Sequence, residues 1–121
     1  MKKIQKGEEQ IVNAEGKTLG RLASEIATFL AGKSRVSYQR HIYSGSDVKV
    51  VNVSKIKITT KKLEEIHHTK YSGHRGGLRV WQGIETFEKK GLKELVRLAV
   101  YHMLPGNKLR REMMKNLKIE N

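Results

Sequence analysis

Leu19, Leu22, Ala23, Ile26, Ala27 and Leu30 recur at spacings of three and four, one face of an amphipathic helix. Thr18 stands where an N-cap belongs and Gly32 where a C-terminal glycine ends a helix. Before it, Gln10–Ala14 reads as a short strand closed by the turn Glu15-Gly16-Lys17. After it, residues 33–45 are polar, basic and aperiodic, a long loop. Val48–Val53 and Lys55–Thr59 are rich in β-branched residues. In the second, Ile56 and Ile58 alternate with polar neighbours as in a half-buried strand. Residues 61–83 show little apolar period, and 71–77 must be a loop. Glu85–Lys90 predicts a short helix stopped by Gly91. Leu92, Leu95, Val96, Ala99 and Met103 predict a longer one, ended by Pro105-Gly106. Asn107 then caps a last helix with the stripe Leu109, Met113 and Leu117.

Strand, helix, strand, strand, basic loops, helices is an α/β order. With 121 residues one domain is expected, spanning 1–121 with residues 1–9 as a flexible arm. The first strand and helix can open a right-handed βαβ unit.

Charge narrows the function. Lys and Arg number 25 against 12 Asp and Glu, a formal net charge of +13. Such a chain attracts polyanions, and nucleic acid is the main candidate. The longest apolar run is far too short to span a membrane, so no membrane partner is expected. The N-terminus has no apolar signal region, which makes the cytoplasm the expected location. With no cysteine, disulfides, thiolate catalysis and Cys-based zinc sites are excluded.

The charge is clustered. Residues 26–63 hold eight Lys or Arg and one acid, Asp47, and residues 66–84 hold no acid at all. Acid-poor loops are the footprint of a phosphate-binding face, although a single charge run is commonly no more than solvated surface. The sharpest local pattern is Tyr71-Ser72-Gly73-His74-Arg75-Gly76-Gly77. Its glycines allow positive φ and close backbone approach, and successive amides in such a loop can cradle an anion. Arg75 suits phosphate, and Tyr71 and His74 can stack on bases. The loop matches neither the dinucleotide fingerprint nor the P-loop, so no nucleotide or other small-molecule substrate is expected. His67 and His68 point to opposite sides of a strand, which suits chelation poorly. They read with His41 and His74 as surface histidines near phosphates, with no metal and no cofactor. No raised-pKa carboxylate pair or nucleophile elbow is visible, and no residue is nominated as catalytic.

One resemblance adds to this. Asn13-Ala14-Glu15-Gly16-Lys17-Thr18-Leu19-Gly20-Arg21-Leu22-Ala23 resembles the opening of the large-subunit ribosomal protein L-thirteen family. The likeness continues in order through Tyr38-Gln39-Arg40-His41, Val50-Val51-Asn52-Val53-Ser54-Lys55, Ser72–Leu78, Ala99–Pro105 and Leu117-Lys118-Ile119. The chain departs from common family residues at Asn13, Ser46, Tyr101-His102 and Arg110. The resemblance implies a three-layer α/β/α domain around a mixed or parallel sheet of about four strands, with basic RNA-binding loops. It implies a non-catalytic role, binding large-subunit rRNA early in assembly beside neighbouring ribosomal proteins, on a cytoplasmic or organellar ribosome. The alternative is a regulatory binder of messenger RNA off the ribosome. The residues expected to touch RNA are Lys17, Arg21, Lys33, Arg35, Tyr38, Arg40, His41, Lys61, Lys62, Tyr71, Ser72, Gly73, His74, Arg75, Gly76, Gly77, Arg79, Lys108, Arg110, Arg111, Lys115 and Lys118. The helix turn around Gly20 has two readings that remain open: phosphate contact at the N-terminus, or close helix–strand packing.

Overall fold

The computed structural model describes residues 7–121. Strand β1 (Gly7–Asn13) leads into helix α1 (Leu19–Ala31) and then β2 (Ser46–Val51), a βαβ unit whose strands pair in parallel. Gly7–Glu9, assigned by sequence to a flexible arm, therefore belong to the first strand. The rest of that expected arm, residues 1–6, lies outside the described residues. Helix α1 begins and ends as the spacing predicts. Thr18 is extended at its N-cap but makes no side-chain cap bond, and Gly32 ends it at φ 78° with its N–H bonded to Phe29 O.

Two segments depart from expectation. Lys55–Thr59 forms no strand: a short 3-10 turn (Val53–Lys55) follows Asn52, whose φ of 59° turns the chain, and only Lys57 bridges to Thr18. Alternation at Ile56 and Ile58 still buries Ile56, because the segment lies over the core without a strand partner beyond that bridge. The last helix also ends early. Helix α5 (Leu109–Lys115) stops at Asn116, and Leu117–Ile119 become β5, pairing in parallel with β2. Leu117 thus leaves the predicted helical stripe.

The α/β class is as expected, and so is a parallel sheet, with one strand fewer than the resemblance implies. Its order is β1-β2-β5, three parallel strands rather than about four. The remaining strands, β3 (His67–Tyr71) and β4 (Leu78–Gln82), form a separate antiparallel hairpin in a region that sequence periodicity left irregular. Helix α2 (Thr60–Glu65) precedes the hairpin, and α3 (Gly83–Lys90) and α4 (Leu92–Met103) follow it.

Register explains the layering. Val12 pairs with Val50, and all of Val12, Val48 and Val50 are buried. They share one core with Leu22, Ile26 and Leu30 of α1, Val96 and Val100 of α4, and Met113 of α5. The opposite face carries Ile11, paired with Lys49, which pairs with Lys118. Ile11 is 70% exposed. Helices α1, α4 and α5 share one core with the sheet.

Candidate nucleic-acid interface

The predicted basic residues reach the surface from four places. At the start of α1, Arg21 is exposed beside Lys57 and Lys62, and these line a concavity of about 730 Å³ with Thr18, Gly20 and Thr59. Lys57 was not among the expected contacts. Its backbone N–H donates to Lys17 O at 3.0 Å, which carries its side chain to the helix start. Nothing in the sequence marks that pairing. A Cβ at Gly20 would meet no atom within 4 Å, so close helix–strand packing does not require glycine here. Lys17 is different: its ammonium lies 2.6 Å from Glu25 Oε2, so its charge is already matched. Ser24 and Met103 border this concavity and also one that Lys33 lines, so Arg21 and Lys33 stand along one groove beside α1. Lys61 is exposed on α2.

The loop 33–45 is shaped by its own bonds. Arg35 Nη1 donates to Ser44 O at 3.0 Å, and the Tyr38 N–H donates to Arg35 O. Gly45 is required, because a Cβ there would sit 1.9 Å from Leu30 O. Arg35 is half-buried and braces the loop, whereas Arg40 and His41 are exposed and Tyr38 is half-exposed.

The hairpin loop is built as its glycines require. Gly73 and Gly76 have φ of 81° and 76°, and a Cβ at either would meet nothing within 4 Å. Their role inside the protein is conformational, and the space beside them is open. Ser72 Oγ accepts from the His74 N–H, and the Gly77 N–H donates to His74 O at 3.0 Å. Two of the amides considered for an anion cradle are thus used within the loop. Arg75 is exposed, and Arg79 is set directly across from Lys70.

His68 corrects the reading of the histidines as surface groups. It is buried, stacked 6.4 Å from His102 of α4 and tilted 5.8 Å from Trp81. Burial pushes its pKa down first, and the neighbouring His102 pushes it further. Trp81 Nε1 donates to Thr86 Oγ1 at 3.0 Å, tying the hairpin to α3. Among the described residues no group of three or more His, Asp or Glu could hold a metal.

The fourth place is the C-terminal segment. Lys108, Arg111 and Lys115 are exposed, and Lys118 lies on the open sheet face. A groove of about 700 Å³ between α4 and α5 is lined by Arg97, Tyr101, Lys108, Arg110 and Arg111. Two of these are committed: Arg97 makes a two-point bond to Glu94, and Arg110 Nη2 donates to Tyr101 Oη at 2.6 Å.

The family model described as "Ribosomal protein L13" matches residues 8–119, nearly the whole described chain. The chain belongs to the ribosomal protein L13 family. Among its relatives, large ribosomal subunit protein uL13 of Aquifex aeolicus is 46% identical over 109 residues, covering 90% of this chain and 75% of that protein. The uL13 proteins of Alkaliphilus oremlandii and Roseobacter denitrificans are 45% and 42% identical, each over 90% of this chain and over 76% and 71% of their own lengths. Membership in the L13 family agrees with the resemblance read from the motifs. No described helix is long and apolar enough to cross a membrane.

Proposed function

We propose that this chain is a structural constituent of the large ribosomal subunit, binding large-subunit rRNA and meeting neighbouring ribosomal proteins. The observation that carries the reading is the family match over residues 8–119. The geometry is compatible with a clamp. Exposed cations project from α1, from loop 33–45, from the hairpin and from α5; α1 and α5 pack in the core, and the hairpin is held to α4 through His68 and to α3 through Trp81. Phosphates neutralised at separate points let RNA segments approach that would otherwise repel each other. Arg21, Lys33, Tyr38, Arg40, His41, Lys61, Lys62, Arg79, Lys108, Arg111, Lys115 and Lys118, with the loop from Tyr71 to Gly77, are the contacts this reading assigns to RNA. Lys17, Arg35 and Arg110 act instead by holding the fold around them. In this role the chain performs no chemistry of its own and joins the RNA early in assembly.

The test is co-sedimentation with large subunits after a high-salt wash, beside a salt titration of binding to an rRNA transcript. The chain should stay with the subunit. Affinity for naked rRNA should fall by roughly a thousandfold between low and moderate salt if about six phosphates are neutralised. A chain washed free of subunits, with a nearly flat salt dependence, contradicts the proposal.

A further inference from the structure

The β3–β4 hairpin has two unlike faces. Antiparallel pairing sets His68 opposite Trp81 and Lys70 opposite Arg79 on one side, and Thr69 opposite Val80 and Tyr71 opposite Leu78 on the other. The first side is anchored through His68, packed against His102 of α4. The second is bare: Tyr71, Leu78 and Val80 are 65, 61 and 59% exposed. Three large apolar side chains on one face of a two-stranded ribbon are unfavourable in water, and such a patch marks a surface that something else covers.

The charge around the patch restricts what that is. Residues 66–84 contain no Asp or Glu, and Arg75 stands in the loop at the end of the patch, while Lys70 and Arg79 occupy the other face. The occupant therefore combines negative charge with flat apolar surface, which RNA does where its bases are unpaired. Duplex RNA presents 2′-hydroxyls and base edges in its accessible groove. Leu78 and Val80 offer those groups no partner, and burying a hydroxyl unpaired is costly. Spacing then sets how bases held there would be arranged. Same-face residues two apart on a strand are about 6.6 Å apart, roughly twice the 3.4 Å step of a stacked strand. Successive bases lying over the Tyr71–Leu78 pair and the Thr69–Val80 pair must be splayed from each other.

We propose that this face of the hairpin holds an unpaired RNA segment, with one base stacked on Tyr71 beside Leu78 and the next packed on Val80. The assignment rests on the ribosomal reading and names, within it, the kind of RNA that the hairpin takes.

The test compares the full chain with Tyr71→Thr, Leu78→Thr and Tyr71→Phe, their folding checked by Trp81 fluorescence. The probes are a short oligoribonucleotide without self-complementarity, the same strand annealed as a duplex, and a large-subunit rRNA transcript mapped with a base-modifying reagent. The wild type should prefer the single strand. Tyr71→Thr should weaken it by roughly 5- to 100-fold, as expected for one lost base–aromatic stack, with the duplex little changed and Tyr71→Phe near wild type. Tyr71→Thr should also expose bases in the transcript that the wild type protects. Unchanged single-strand affinity and unchanged protections in a protein that still binds rRNA overturn the hairpin assignment alone. A photocrosslinker at position 78 that, in assembled subunits, joins protein rather than RNA overturns it in favour of a protein partner. A wild type that binds no rRNA overturns this assignment and the ribosomal reading together.

Discussion

The guanidinium of Arg110 lies 3.8 Å from the centre of the Tyr101 ring while its Nη2 donates to the Tyr101 hydroxyl. The two residues are nine apart in sequence, and the contact fastens α5 to the end of α4. Arg110 was expected, with Arg111 and Lys115, to touch RNA. Tertiary contact makes it a brace.

Arg110→Gln should therefore lower stability by about 1 kcal/mol, the size of an exposed cation–π contact with its hydrogen bond. Arg111→Gln and Lys115→Gln should leave stability unchanged and weaken rRNA binding. Urea melts beside filter binding for each single variant test the division. Equal stability losses for all three would refute it.

Met113 is buried in the core and Leu117 is half-buried on β5. Met113→Ala should cost about 2–4 kcal/mol, as for other large core side chains. Leu117→Ala should cost less and act locally. The Val48 N–H donates to Asn116 O, and the Glu120 N–H donates to Val50 O at 2.8 Å. Faster hydrogen exchange at those two amides, with little change elsewhere, is the expected signature. Uniform acceleration would mean that β5 unfolds only with the whole domain.

His68 makes hairpin docking sensitive to acid. Its pKa in the folded chain lies below the ordinary 6.5, because burial and then His102 oppose the imidazolium. The unfolded chain therefore takes up the proton more readily. Stability from this site is complete above pH 6.5 and is lost as pH falls below it towards the folded pKa. The melting temperature of the wild type should drop more on acidification from about pH 7.5 to about pH 5 than that of His68→Phe. Identical pH profiles would show that the ring titrates alike in both states.

Gly76 has φ of 76° with open space beside it. Gly76→Ala should cost the free protein about 1–2 kcal/mol through backbone strain. If RNA backbone lies against this loop, affinity for rRNA should fall by tenfold or more, beyond what that strain accounts for. Calorimetric melts and binding titrations of the same preparation separate the two effects. A binding loss no larger than the stability loss would give Gly76 a purely conformational role.

Sequence legibility followed local physics. Helix α1 was readable because Leu22, Ile26 and Leu30 bury one stripe and Gly32 supplies a left-handed stop, both properties of adjacent residues. The hairpin was not. Its inward pair, His68 and Trp81, is polar-edged, and its outward residues, Tyr71, Leu78 and Val80, are apolar, so alternation pointed nowhere. The glycine loop stood out, but the strands on either side of it did not.

By itself the sequence determined the α/β order, the βαβ opening, the family motifs and the two acid-poor basic stretches. Each is a matter of spacing or composition along the chain. Only the tertiary structure decided that Leu117–Ile119 leave the helix for the edge of β2, since a free strand edge rewards extended residues that periodicity alone would keep helical. It also decided which cations remain available. Lys17 is bound to Glu25, Arg35 to Ser44 and Arg110 to Tyr101, whereas Arg21, Arg75 and Arg111 stay exposed. A charge in sequence is only a count. Whether it reaches a phosphate depends on what the fold has already placed within a few ångströms of it.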